Sequence, residues 1–308
     1  MNFQAKQFFR KAVETLDFLK PLYSKISAIK TKRWSKMDDV EFFSKRYKEN
    51  TGKALDLNNP KTFNEKILWL QLYDHNPLYT LLSDKYLVKE WVAERIGQEH
   101  IVKTLGVWDK VEDIPFSELP DECVLKCNHD CGSIYIKRSG VPFDIKTIKN
   151  KFSKALKRNY YDVGRVWGYK NIVPRVFCEE YIASTDGDFP RDYKIFCFNG
   201  EPKFAFVASD RGENTKFDFF DIEWNKIPVK QHYPNSNYNI EKPKQWEEML
   251  AIARKLSADI PHVRVDLYIN SNDTVLFGEM TFCHFSGKEP FEPNEYDEIF
   301  GGYLVLPE

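Results

Sequence analysis

The sequence predicts an α+β fold in which antiparallel hairpins carry the polar chemistry and helices cover them. Three observations lead there. His262-Val263-Arg264-Val265-Asp266-Leu267-Tyr268 alternates apolar and polar residues with the period of a strand, and Asn270-Ser271-Asn272-Asp273 turns it into a second run, 275–282. Asn199-Gly200, the strongest turn signal in the chain, closes 191–198 onto 203–208. Helix signals frame these hairpins. Thr62-Phe63-Asn64-Glu65 is a capping box, and Trp246, Met249, Leu250, Ala253 and Leu256 form an apolar helical stripe ahead of His262.

A chain of 308 residues holds one large domain or two to three small ones. With 42% hydrophobic and 30% charged residues it is globular, and its net charge of −1 argues against bulk nucleic-acid binding. No apolar run approaches the ~20 residues of a membrane span, and no signal-peptide pattern is present. Cys123, Cys127, Cys131, Cys178, Cys197 and Cys283 lie mostly in apolar segments, so reduced core thiols of a cytosolic protein are expected. Cys127-Asn128-His129-Asp130-Cys131 invites a zinc reading, but no second Cys/His pair stands at ligand spacing. The 24 Phe, 16 Tyr and 7 Trp predict a dense core and surfaces on which bases or sugars could stack.

Taken in order, residues 1–50 are a basic helical extension with 12 Lys/Arg against 6 Asp/Glu. A basic amphipathic start can dock on an anionic membrane, though a solvated helix packed on its own domain is the plainer reading. The capping box opens a helix to about Tyr73, Asn76-Pro77 breaks it, and Ser83-Asp84-Lys85 starts another. Leu87, Val88, Trp91, Val92 and Ile96 are its stripe, and Gly97 its stop. Lys85 in its first turn opposes the helix dipole, which hints at another duty. The strand 123–127 carries Lys126 and runs through a polar loop into the strand 134–137. Such a hairpin can lie over phosphates, or Lys126 can be an edge lysine facing solvent. A helix over 144–158 follows, then a strand over 173–182 ending Glu179-Glu180-Tyr181-Ile182. Asp186-Gly187-Asp188 is a turn and also a D-x-D sequence, the metal motif of many nucleotide-sugar glycosyltransferases. Asp192 and Lys194 share one face of the next strand, and Arg211 ends the arm after it with a guanidinium suited to phosphate or carboxylate. Another strand is expected over 217–222.

In the last hairpin Val275, Phe277, Glu279 and Thr281 fall on one side by strict alternation, and Asp266 and Glu279 can stand across from each other with Arg264 one pleat away. Two carboxylates among Val, Leu and Phe are costly to bury without a cation. Mg2+ held by one or two carboxylates plus substrate phosphates meets that need; the other reading is a half-exposed hairpin whose charges face water. The polar loop after it holds His284, Ser286 and Gly287, a place to meet a second substrate.

The order of these pieces resembles the ATP-grasp superfamily, in which a nucleotide lies between two α+β subdomains. Asn59-Pro60-Lys61-Thr62-Phe63-Asn64-Glu65-Lys66, Ser83-Asp84-Lys85-Tyr86, Leu125-Lys126-Cys127-Asn128-His129, Asp192 to Gly200, Arg264 to Tyr268 and Phe277 to Phe282 look like its TupA-type branch, associated with teichuronopeptide and other bacterial surface-polysaccharide synthesis. The resemblance covers roughly 50–308. It implies a helical N-terminal subdomain over 51–110, a central subdomain with a phosphate hairpin over 111–185, and a C-terminal subdomain with the metal site over 186–308. It implies ATP and Mg2+, or Mn2+ in its place. Lys85 and Lys126 would meet the nucleotide phosphates, Glu179, Glu180, Tyr181 and Ile182 the adenine, and Asp192 with Lys194 the ribose. Asp266 and Glu279 would bind the metal, and Arg264 or Arg211 would steady the γ-phosphate or an acyl-phosphate. Glu279-Met280-Thr281 departs from the usual Glu-x-Asn, and the loop after Lys126 has one Gly where others have several.

The function so implied is a carboxylate–amine ligase, forming an acyl-phosphate and then an amide. It would join an amino acid or amine to a hexuronic acid, free or polysaccharide-linked, in capsule synthesis. The expected place is the cytoplasm, either free or at the inner face of the membrane, with residues 1–50 available to membrane or polysaccharide machinery. The main alternative is a metal-dependent nucleotide-sugar glycosyltransferase using Asp186 and Asp188. A kinase, and a non-enzymatic assembly protein at the membrane surface, are further rivals.

Overall fold

The computed structural model describes residues 34, 36–183, 190–210 and 214–308. Residues 1–33 and 35 of the basic helical extension, Asp186-Gly187-Asp188 and Arg211 lie outside the described residues. The described chain runs α1 (Asp39–Thr51), α2 (Phe63–Tyr73), α3 (Leu78–Ser83), α4 (Val88–Ile96), β1 (Thr104–Trp108), β2 (Cys123–Cys127), β3 (Ile134–Lys137), α5 (Ile145–Leu156), α6 (Tyr161–Gly164) and β4 (Val176–Glu180). It continues with β5 (Asp192–Phe198), β6 (Glu201–Ser209), β7 (Lys216–Asp221), β8 (Lys226–Ile227), α7 (Trp246–Ser257), β9 (His262–Ile269), β10 (Val275–Thr281) and α8 (Glu295–Gly302).

Two antiparallel sheets organise the molecule: a small one in the order β1-β4-β2-β3 and a large one in the order β10-β9-β5-β6-β7-β8. Alternation along the central strands sends side chains to two separate cores. Tyr193, Ile195 and Cys197 of β5 and Val263, Val265 and Leu267 of β9 pack under α7 with Val88 and Val92 of α4. Phe196, Phe198, Phe204, Phe206 and Phe219 face the other way, onto Phe63 and Ile67 of α2 and Phe300 of α8. The small sheet has its own core, where Ile148 and Phe152 of α5 meet Leu125, Cys127, Val176 and Cys178. The helices of 63–96 therefore pack onto the two faces of the large sheet, and β1, drawn into the N-terminal segment by a boundary at 110, belongs to the small one.

Local signals explain most boundaries. Thr62 Oγ1 accepts from Glu65 N while Glu65 Oε2 accepts from Thr62 N, which completes the capping box. At the Asn199-Gly200 turn both residues have positive φ, 49° and 84°, matching the twist of β5 and β6. Two expected elements are shorter than their patterns. The helix foreseen from Ser83 begins at Val88, because the buried Asp84 side chain accepts from Tyr86 N and Leu87 N and forms a turn there; Leu87 is consequently exposed. The strand foreseen from Val173 begins at Val176. Before it, Asn128 bonds Val173 O and Arg175 N through its side-chain amide and takes the place of a ladder partner. Tyr181 and Ile182 lie past the strand end, and β2 is an interior strand, so Lys126 is no edge lysine.

Candidate active site

β9 and β10 pair antiparallel, but the ladder slips between Phe277 and Glu279. Phe277 is opposite Leu267 and so joins the α7 core, whereas Glu279 is opposite Asp266 and Thr281 opposite Arg264. Strict alternation had put Phe277 and Glu279 on one side. The extra residue at Gly278 separates them, as a β-bulge does. A Cβ at Gly278 would stand 2.6 Å from Tyr268 Cε2 and 2.9 Å from Asp266 O, so the bulge has room for hydrogen only.

The facing acids are wrapped in cations. Arg264 donates from Nε to Asp266 Oδ1 and from Nη2 to Asp266 Oδ2, both at 2.7 Å, in a two-pronged pair. The same Nη2 reaches Thr281 Oγ1 at 3.0 Å and Glu279 Oε1 at 3.5 Å. Lys194 of β5, the cross-strand partner of Asp266, bonds that carboxylate and also Asp192 Oδ2 at 3.0 Å. Lys85 Nζ is 2.9 Å from Glu279 Oε2. Burial alone would raise the Glu279 carboxyl, but Lys85, Lys194 and Arg264 hold it well below the usual carboxylate range. Burial pushes Asp266 up, and its contacts with Arg264 and Lys194 oppose that. Lys85 is held charged by Glu279 despite its burial. The hairpin charges thus face other charges inside the protein rather than water.

On the small sheet the acid is Glu179, and it too is doubly paired. Lys126 Nζ lies 2.5 Å from one carboxylate oxygen and Lys89 Nζ 2.5 Å from the other. Both cations overcome burial and keep Glu179 ionised. Lys89 also donates to Val102 O and Thr104 Oγ1. No motif in the sequence marks Lys89. Its spacing was the available signal, since it stands four residues after Lys85. Glu180 points outward, 3.6 Å from Lys103. Tyr181 is bonded by Arg138 Nη1 and lies under its guanidinium, and Ile182 is half-buried beyond it.

The segment 84–89 joins the two halves. Lys85 N donates to Asn128 O of the β2–β3 loop, and Asn128 Nδ2 donates to Asp84 Oδ2 at 2.7 Å. Its lysines then reach Glu279 of the large sheet and Glu179 of the small one. Two ion-pair clusters, Lys85, Asp192, Lys194, Arg264, Asp266 and Glu279 on the large sheet and Lys89, Lys126 and Glu179 on the small one, are thus tied together by this one segment.

Next to Glu279 opens a cavity of about 320 Å³, lined in part by Tyr160, Tyr169, Arg264, Thr281, Phe285 and Ser286. Of the expected substrate loop, Ser286 lines it, while Gly287 is buried against Leu68. Phe285 and Ser286 hold positive φ of 45° and 54°, a strained backbone of the kind found at functional loops. His284 is fully buried and differently engaged. Its Nδ1 lies 2.8 Å from Arg264 Nη1, which can only donate, and its Nε2 2.7 Å from Gln231 Oε1. Burial and the neighbouring Arg264 keep it neutral, so it orients the guanidinium and is not placed as a substrate base. Cys131 is the exposed cysteine of the six, its Sγ 3.9 Å from Tyr169 Oη at the cavity wall.

Among the described residues no group of three or more His, Cys, Asp or Glu is placed to cage a metal. The donor set is instead a pair of acids, Asp266 and Glu279, already neutralised by lysine and arginine. Carboxylate oxygens are the hard donors Mg2+ shares with substrate phosphates, and Asp266, with both oxygens on Arg264, would give up a cation to reach such an ion. No described helix is long and apolar enough to cross a membrane.

A family model described as TupA-like ATP-grasp matches residues 65–305. No curated protein sequence matches the chain. Solved structures similar to it include D-alanine–D-alanine ligase from Bacillus anthracis complexed with ATP, at 14% identity, 72% of this chain, 62% of that chain and a TM-score of 0.39. The ATP-grasp ligase PsnB with a phosphomimetic precursor variant, Mg and ADP is similar at 11% identity, 77% and 62% coverage and a TM-score of 0.38. The chain spans about three fifths of the length of these proteins, and at such TM-scores the likeness carries no argument of its own.

Proposed function

This chain belongs to the TupA-like ATP-grasp family, and we propose that it is an ATP- and Mg2+-dependent ligase that activates a carboxylate and passes it to an amine. The observation that carries this reading is the Asp266–Glu279 pair, register partners surrounded by Lys85, Lys194 and Arg264 beside a cavity. Transfer of a phosphoryl group asks mainly for positioning and for neutralised charge, and no protein nucleophile is required. Asp266 and Glu279 would hold the divalent ion, which would supply charge neutralisation for the transferred phosphoryl group.

The chain's own cations do the rest. Lys85, Lys126 and Lys194, now on carboxylates, can exchange those partners for phosphate oxygens without leaving the site. Asp192 stands beside Lys194 for the ribose hydroxyls, and the end of β4, Glu179 to Ile182, for the base. Arg264, held by Asp266 and His284, presents its guanidinium to the reacting carboxylate or its acyl-phosphate, and Arg211 is assigned the same duty. The cavity with its two tyrosines and Ser286 receives the acceptor. In its most specific form the activated carboxylate is that of a hexuronic acid of a bacterial surface polysaccharide and the acceptor is an amino acid or other amine. The test is product analysis with Mg-ATP and paired uronic acid and amine panels. ADP and phosphate formed together with an amide support the reading. Release of UDP or another nucleotide from a nucleotide sugar, dependent on Asp186 and Asp188, would replace it with glycosyl transfer.

A further inference from the structure

The outer face of the small sheet carries a charge pattern that the nucleotide site does not use. Between positions 137 and 170 the chain has ten Lys/Arg and two Asp/Glu, although the whole chain is net −1. The pattern centres on α5, which turns Ile148, Phe152 and Ala155 into the core. On the opposite, outward face at helical spacing stand Lys146, Lys149, Lys154 and Lys157, all exposed, and no acid lies within the helix to balance them. Lysines three apart repel one another on a helix, so the stripe lowers the helix's own stability. Beside the stripe, Val141 and Ile145 are 55% and 42% exposed at the entrance of the helix. The aromatic residues nearby are turned inward: Tyr135 stacks on Phe143, and Phe152 is fully buried. A strand of nucleic acid would want those rings outside to stack on. An anionic bilayer wants lysines for its headgroups and branched apolar side chains for its interface.

We infer that α5 is a membrane-docking face, on which Lys146, Lys149, Lys154 and Lys157 meet anionic lipid headgroups and Val141 and Ile145 enter the interface. The same helix leads directly into Tyr160, a wall of the cavity, so docking places the acceptor opening next to the bilayer. This surface stands independently of the ligase reading, because its test needs no turnover.

The full chain is sedimented with vesicles of phosphatidylcholine alone and of phosphatidylcholine with phosphatidylglycerol at low and physiological salt. Wild type is expected on the anionic vesicles, with binding weakened by salt. Changing Lys149, Lys154 and Lys157 to Gln lowers binding by about a hundredfold, roughly fivefold per lysine. A matched change of Lys230, Lys244 and Lys255 leaves it unaltered. Val141→Ser with Ile145→Ser also weakens it, while circular dichroism shows an intact fold. Equal binding by the α5 triple variant overturns the inference, since the contact would then lie elsewhere, residues 1–33 included. Salt-sensitive capture by a soluble polyanion, with no effect of the Val141/Ile145 pair on vesicles, overturns it too.

Discussion

Glu279 stands directly across from Asp266 only because the β9–β10 ladder slips by one residue at Gly278. Without that slip Glu279 would share a face with Phe277 and point into the apolar core under α7. Gly278→Ala forces a Cβ against Tyr268 and the Asp266 carbonyl, and the bulge must move. The expected loss is about 1–3 kcal/mol of stability by chemical denaturation. ATP affinity by calorimetry should fall further than that loss of folded protein explains.

The acids themselves can be changed with little change in shape. Asp266→Asn and Glu279→Gln keep volume but remove the charge that Arg264, Lys194 and Lys85 neutralise. ADP formation should fall by about a thousandfold or more in each, comparable to losing a principal electrostatic group of a transition state. Nucleotide binding that no longer responds to Mg2+ in the variants is the accompanying readout. Turnover at the wild-type rate in either variant would remove the site assignment.

The lysines divide by what they touch. Lys126→Met leaves Glu179 paired by Lys89, so the fold persists and the expected effect is a rise of about tenfold or more in KM for ATP. Glu179→Gln removes the charge between Lys89 and Lys126, and burial then opposes both ammonium groups. That variant should lose stability, by about 1–3 kcal/mol in urea, as well as affinity. Comparable losses of stability in the two variants would contradict this division.

Acid sensitivity has a definite source. His262 is buried among Phe63, Phe196 and Phe198, its Nδ1 bonded to Cys197 O and its Nε2 without a partner, and burial pushes it down to about 3. Between about 6.5 and 3 the unfolded chain binds this proton and the folded one does not. Stability contributed by the neutral ring is therefore full above 6.5 and is lost as the pH falls. The slope is about 1.4 kcal/mol per pH unit for one group. His262→Phe should flatten urea midpoints against pH between 6 and 4 by that amount, and an unchanged slope would mean that the ring titrates in the folded state.

Much of the molecule could be read before its structure. The capping box at Thr62, the Asn199-Gly200 turn, the alternation of 262–268 and the stripe of 246–256 depend on neighbours a few residues away, and a local pattern suffices for local hydrogen bonds and burial. The order of the motifs also led to the family. Asp192, Lys194, Arg264, Asp266 and Glu279 stand out as charges within apolar strands, which demand partners, and Lys85 as a lysine set against a helix dipole.

Which partners they take was decided by the tertiary structure alone. Lys89 escaped notice because nothing near it in sequence says that Glu179, ninety residues later, will come within 2.5 Å. His284 looked like a candidate base, and only the folded chain shows both of its nitrogens committed to Arg264 and Gln231. The bulge at Gly278 is the clearest case. Period-two alternation is a property of a strand by itself, whereas a slip in the ladder exists only between two strands, where the space beside Tyr268 and the Asp266 carbonyl admits no side chain.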